Sequence, residues 1–453
     1  MAFFISAVTV SMKIRPQLLW TLGSGAIATI LCSPTLAAPE PAQLSSLTDS
    51  PKAVLDEAWQ IVYRDYVDST FNHTDWVEVR QELLGQRYTS RQAAYGELRR
   101  ALGRLNDPYT RFLTPGQYAE LTEQTSGEVS GIGLLLRRDR GAGTVVVERV
   151  LPDSPAATVG IRPGDRVVLV DGRSTDRLSA HAASQLLRGD TDTQVTLTIE
   201  RGETSKTFVL RRTRLEISTV TAKLETQHDV QVGYIRLDEF SAHAAEQMEQ
   251  AIAELTDQGA EAFVLDLRSN PGGLLQASID ISRMWLRRGP IVRTVGRSGD
   301  SEEITANRTH LTELPMAVLV NGQSASSSEI VTGALGDNDR AIVVGSTTFG
   351  KALVQSLHGL GDGSGVAVTV AHYYTPNGTD ISRRGIVPDI QVELSSSQQA
   401  TLEEDPALLG TQSDPQFNEA VVALAGEVVA RRGSAPARTG AAQLGTPQLG
   451  RNP

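Results

Sequence analysis

The chain has 453 residues, more than one hydrophobic core usually holds. With 40% apolar and 21% charged residues, two or three ordinary globular domains are expected. A net charge of −11 argues against nucleic acid or an anionic membrane as the main partner. The single cysteine, Cys32, excludes a disulfide framework and a cysteine-based metal site.

Residues 1–38 read as a secretory signal: Lys13 and Arg15 give a basic start, residues 18–31 are apolar, and Thr35-Leu36-Ala37 offers a small-residue cleavage site. The apolar run is short and interrupted by Gly for a membrane span, and a retained anchor with peripheral membrane contact is the alternative. Met12, directly before the basic residues, is a second start codon to consider. Removal of the segment would take Cys32 with it, and an exported domain of this size needs no disulfide staples.

Residues 39–50 form a Pro/Ala/Ser linker. From 51 to 124 the pattern is helical: Val54, Leu55, Ala58, Ile61 and Val62 recur at helical spacing, Ser90 caps a further helix, and Asn106-Asp107-Pro108 breaks the run. Between 125 and 213 the period changes to short β-branched runs bounded by Gly, Pro and Asp, namely GIGLLLRR, GTVVVERV, DRVVLVDG and QVTLTIERG, with one helix over 181–187. From 214 to 400, VGYIRL, AFVLDL, MAVLV, AIVVG and GVAVTVAHY read as buried strands, with helices over 242–255, 274–286 and 326–335. This alternation predicts an α/β core with its chemistry at strand-to-helix turns. A C-terminal helical segment is expected over 401–431 and a disordered tail over 432–453.

The stretch VNGQSASSSEIVTGALGDNDRAIVVGSTTFGKALVQ carries the chemistry. A strand ends at Val320 and small residues open a helix near Ser326, where an isolated Ser would be a cap. The same position leaves the next backbone amides unpaired and facing whatever the hydroxyl attacks. Such a hydroxyl needs a base, yet none of His310, His358 and His372 sits in a recognisable Ser-His-Asp pattern. Lys351, flanked by Gly350 and Ala352, can serve if burial lowers its pKa from about 10.4 toward neutrality; roughly three units is about 4 kcal/mol. Phe349, Leu353 and Val354 supply apolar surroundings, and Gln355 could orient the amine.

These residues resemble the catalytic segment of the carboxyl-terminal processing (tail-specific) peptidases. In that family a small-Ala-Ser pattern carries the nucleophile, a Phe-Gly-Lys-Gly run follows 25 residues later, and a Gln lies four residues beyond the Lys. Ser326, Lys351 and Gln355 match. Ser327 stands where Ala is commoner and Ala352 where Gly is usual, an extra methyl that could narrow the substrate channel. Ser324, Ser327 and Ser328 become packing or capping residues. DLRSNPGGLL matches the family's oxyanion turn, which implies that Gly272 or Gly273 supplies one backbone donor and the Ser327 amide the other. Asp266 and Arg268 then support that turn.

The β-rich region resembles a PDZ domain through SPAATVGIRPGDRVVLVDG, which makes Gly131, Ile132 and Gly133 its carboxylate-binding loop. Arg162 is a charge that could pair with the core in one of two domain arrangements. LNDPYTRFLTP is similar to the family's segment before the PDZ domain, so the resemblance spans about 50–400. It implies an α/β, multidomain fold: a crotonase-like peptidase core, an inserted PDZ domain and an N-terminal helical region. The implied activity is a serine endopeptidase cutting near the free C-terminus of protein or peptide substrates by a Ser/Lys dyad and an acyl-enzyme, with no cofactor and no metal. The implied location is exported, in a periplasm or a thylakoid lumen. An inert scaffold would have lost Ser326 or Lys351, and an unrelated α/β hydrolase would show a G-x-S-x-G elbow; neither applies.

Overall fold

The computed structural model describes residues 50–434 apart from Arg140. The expected signal segment, all of the linker before Ser50, and the tail beyond residue 434 lie outside the described residues.

The first helix, Pro51–Asp65, is capped by the Ser50 hydroxyl and carries Pro at its first turn, where a missing N–H costs nothing. Val54, Leu55, Ala58, Ile61 and Val62 are all buried, as their spacing requires. Helices Trp76–Gly85 and Arg91–Gly103 follow, the latter capped by Ser90 as expected. This region is not purely helical. Strand Arg111–Leu113 pairs antiparallel with Gly365–Tyr374 of the core, and Leu360, Val366 and Val368 share the helices' hydrophobic cluster.

After helix Pro115–Ser126, a two-stranded ribbon of Glu128–Gly131 and Thr213–Glu216 leads out to a separate β-rich module and back. The module holds a sheet in the order Leu134–Arg138, Val145–Val150, Arg166–Val170, Gln194–Arg201, Thr204–Arg211, with helix Ala180–Leu187 across it and its own core.

The core's main sheet has six strands. Val220–Gln227 is antiparallel to Val230–Leu237, which runs parallel to Ala262–Asp266, Met316–Val320, Ile342–Gly345 and Ile390–Gln391. Both faces are covered, which is why the strands read as unbroken apolar runs. Phe263, Leu265, Val318 and Val320 pack toward helices Ala244–Asp257, Leu275–Trp285 and Ser327–Asp337. Val264, Ala317 and Leu319 alternate onto Phe417, Val421 and Leu424 of the last helix, Pro415–Ser434. That helix passes the residue where the tail was expected to begin, and Arg432 within it pairs with Glu261. The expected 401–431 segment consists of helix Ser396–Glu404, a short 3-10 turn and this long helix. The GVAVTVAHY strand does not join the parallel sheet. It is the central strand of an antiparallel sheet with Leu353–Gly359, Pro290–Gly296 and Arg111–Leu113. Among the described residues, no helix is long and apolar enough to cross a membrane.

Candidate active site

Adjacent parallel strands Ala262–Asp266 and Met316–Val320 place their following turns side by side at the carboxyl edge of the sheet, where α/β proteins build sites. Three serines stitch those turns together. Ser324 Oγ donates to Leu267 O at 2.8 Å, Ser328 Oγ to Asn270 O at 2.8 Å and Ser327 Oγ to Gly273 O at 3.1 Å. Of the four serines here, only Ser326 does not spend its hydroxyl on the facing turn. Beneath the first turn, Asp266 and Arg268 are buried and paired, and Arg268 also holds Asp414 and Gln416 ahead of the last helix. They support the turn and tie it to the C-terminal segment.

Ser326 immediately precedes its helix with φ 53° and ψ −114°, a costly conformation for a non-glycine residue and one found at functional sites. Gly272 faces it: a Cβ there would lie 2.9 Å from Ser326 Cβ and 2.8 Å from Ala325 O, so only glycine allows the approach. The amides divide into two kinds. That of Gly272 donates to Asn270 Oδ1 at 2.8 Å, whereas those of Gly273 and Ser327 have no acceptor among the described residues. Buried amides without partners are rare unless a ligand completes them.

Lys351 is 3% exposed. Its Nζ donates to Gln355 Oε1 at 2.8 Å and lies 4.9 Å from the centre of the Tyr109 ring. Burial, reinforced by the nearby Arg111 charge, lowers its pKa to about 7, against weaker opposing pulls from Asp107 and Glu329. The strand register slips by one residue between Val354 and Gln355, a bulge of the kind that re-aims side chains at sites. Gln355 Nε2 in turn donates to Tyr109 O at 2.5 Å. Thus the Asn106-Asp107-Pro108-Tyr109 segment, which the sequence marks as a turn and as part of a family-like stretch, forms a wall of the Lys351 cavity of about 440 Å³. Ala352 is buried in the core cluster at that wall, and His372 lines the same cavity.

Glu329 was not singled out in the sequence, although Ser-x-x-Glu at a helix start is the capping-box signature. Its buried carboxylate accepts four donors. Oε2 takes the amides of Ser326 and Lys351, each at 2.9 Å, and Oε1 takes the Gly350 amide and the Thr348 hydroxyl, each at 2.6 Å. Burial pushes its carboxyl pKa up while these donors pull it back. One oxygen therefore joins the backbones of the candidate nucleophile and the candidate base, which lie on separate turns.

In the β-rich module, Gly131, Ile132 and Gly133 end a groove of about 240 Å³ between strand Leu134–Arg138 and helix Ala180–Leu187. Among the described residues that strand pairs only on its far side, with Val145–Val150, so its inner edge is open to an added strand. Arg162 does not meet the core. It is exposed, and its amide donates to Asp165 Oδ2 within its own turn. The charge that reaches out of the module is Arg188, at the groove's end, whose Nη1 lies 2.7 Å from Glu123 Oε2 on the preceding helix.

An inserted peptide-groove module beside a serine, a buried lysine and a paired-glycine turn defines a class of peptidase. Family models agree: residues 146–201 match the PDZ domain and residues 231–392 match peptidase family S41. The chain belongs to the carboxyl-terminal processing peptidases of that family, which are serine-type enzymes. It is 43% identical over 351 residues to the carboxyl-terminal-processing protease of Synechocystis sp., covering 77% of this chain and 82% of that one. A Picosynechococcus sp. enzyme of the same name is 42% identical, over 83% of this chain and 89% of its own. Among solved structures, a photosystem II D1 C-terminal processing protease matches at 37% identity and TM-score 0.51, covering 81% of this chain and 99% of that chain.

Proposed function

We propose that this enzyme is an endopeptidase in which Ser326 is the nucleophile, Lys351 the general base and Gln355 the residue that orients the lysine. The observation that carries this reading is the buried Lys351, poised near neutrality with its amine held by Gln355 and its backbone tied to that of Ser326 through Glu329. Neutral Lys351 accepts the Ser326 hydroxyl proton as Oγ attacks the scissile carbonyl. The oxyanion that forms is met by the amide of Ser327 and by the paired-glycine turn. Within that turn, Gly273 offers the open N–H, and Gly272 serves if Asn270 releases its amide. The protonated lysine then gives its proton to the departing amine, leaving a Ser326 ester. Lys351, neutral again, activates water to hydrolyse it.

Substrates are protein chains with free C-termini, held by strand addition along Leu134–Arg138 with the carboxylate on the Gly131–Gly133 loop. Ile132 is buried beneath the loop and fixes its shape rather than touching the carboxylate. The cyanobacterial and chloroplastic relatives, and the D1-processing title of a solved neighbour, favour trimming of C-terminal extensions on exported proteins, in a periplasm or thylakoid lumen. Incubation with an activated peptide ester at low pH, then peptide mass spectrometry, tests the chemistry: the acyl group is expected on Ser326. An adduct on Ser324 or Ser328 refutes the assignment.

A further inference from the structure

Tyr373 reads in the sequence as a core aromatic at the end of a buried strand, and it is 1% exposed. Its hydroxyl does not face the core. Oη lies 2.5 Å from Lys351 O and 3.1 Å from Ser326 O, while its amide donates to Ala352 O at 3.0 Å. Glu329 Oε2 gathers the N–H groups of the same two residues. The N–H and C=O groups of both residues therefore converge on two buried side chains, one accepting and one donating.

We propose that Tyr373 is a positioning residue, setting the separation of nucleophile and base through their two carbonyls. The proposal rests on the Ser326/Lys351 reading. The phenol takes no part as an acid, since it is sealed from the substrate cavity and burial pushes its pKa well above the usual range. Its single proton goes to the nearer carbonyl, that of Lys351, and bifurcates toward Ser326. Ser326 O also accepts the amides of Glu329 and Ile330, at 2.8 and 2.9 Å. Loss of the hydroxyl therefore removes the bond to Lys351 O, while Ser326 O keeps two donors and the serine keeps its turn. A base displaced by even about 1 Å loses on the order of a hundredfold in rate.

The test is Tyr373→Phe, which removes one oxygen and no packing. The expected result is kcat lower by about 10- to 100-fold with KM within about twofold, and a displaced acid limb in the pH profile of kcat/KM. Tyr95→Phe is the control: it removes a part-buried phenol hydrogen bond, 2.5 Å to Asp362, that touches neither Ser326 nor Lys351, and should cost some stability with kcat unchanged. Wild-type kcat and pH limb in Tyr373→Phe overturn the proposal. So does a loss of activity that tracks the unfolded fraction and vanishes on cooling. Failure of the dyad itself is read separately, from activity retained by Ser326→Ala or Lys351→Met.

Discussion

In the peptidase core, three serine hydroxyls lace the Ser326 turn to the paired-glycine turn, and one carboxylate and one phenol join it to Lys351, all of them buried. The PDZ module, by contrast, joins the rest of the described residues through a ribbon of four residues a side, held at Glu216 by Gln247, and through the ion pair Arg188–Glu123, whose partners are each about one-third exposed. The two regions need opposite things. Bond-breaking chemistry needs a nucleophile and a base fixed to within about half an ångström, which only buried, fully partnered groups provide. Peptide capture needs an open strand edge and freedom to bring the captured chain to the core. A thinly attached module offers both.

The largest expected effect falls on the rigid side. Ser326→Ala should lower kcat by roughly 10⁴-fold or more, because removing a nucleophile abolishes the covalent route. Its Tm should hold, since the hydroxyl does not stitch the turns together. If the variant retained more than a few per cent of activity, the comparison would have the wrong serine at its centre.

Lys351 links chemistry to pH. Activity should rise as pH passes through about 7, where the buried amine loses its proton, and Lys351→Arg should be inactive at every pH. Stability follows the same sign. Because the folded pKa lies below the unfolded one, the unfolded chain binds more protons between pH 7 and about 10.4, and folding is favoured as pH rises through that window. The stability gap between wild type and Lys351→Met should therefore move toward wild type by up to about 4 kcal/mol from pH 7 to 10. Urea unfolding of both at several pH values measures it; a pH-independent gap would mean that the lysine is not buried as a neutral amine.

Effects on the PDZ side should be smaller. A substrate ending in an amide in place of a carboxylate should be cut about tenfold more slowly, about 1.4 kcal/mol of lost recognition at the Gly131–Gly133 loop. Equal rates for acid and amide would leave the groove without a role in reading the terminus. Smallest of all, Glu123→Gln removes a one-third-exposed ion pair worth under about 1 kcal/mol. It should leave Tm nearly unchanged and speed hydrogen exchange a few-fold in Glu128–Gly131 and Thr213–Glu216. Unaltered exchange there would show that the module is held by more than that pair.

Much of this was legible along the chain. Strand Met316–Val320 has the expected limits, helix Ala180–Leu187 begins one residue early, and the serine-to-lysine spacing pointed to the two residues that the fold gathers at Glu329. Other strands were not. Val220–Gln227 and Ser301–Thr305 lie at sheet edges and carry few buried residues, so no apolar run marks them. Arg162, in the turn of the PDZ fingerprint, is exposed in this arrangement with its amide bonded inside its own turn, whereas Arg188 reaches Glu123 because helix Ala180–Leu187 ends toward it.

The sequence by itself determined what is local. Apolar period separated helices from strands, Gly and Pro placed the turns, and the family-like spacing of Ser326, Lys351 and Gln355 pointed to the proposed chemistry. Only the tertiary structure decided which distant groups complete the site. Tyr109, Glu329 and Tyr373 meet Ser326, Lys351 and Gln355 across as many as 246 positions, as Tyr109 O does with Gln355 Nε2. Their residue types are ordinary ones for a turn, a cap or a core, and what makes them functional is which backbone groups burial leaves without water. Beyond the local Ser326–Glu329 capping box, that depends on how the sheets stack.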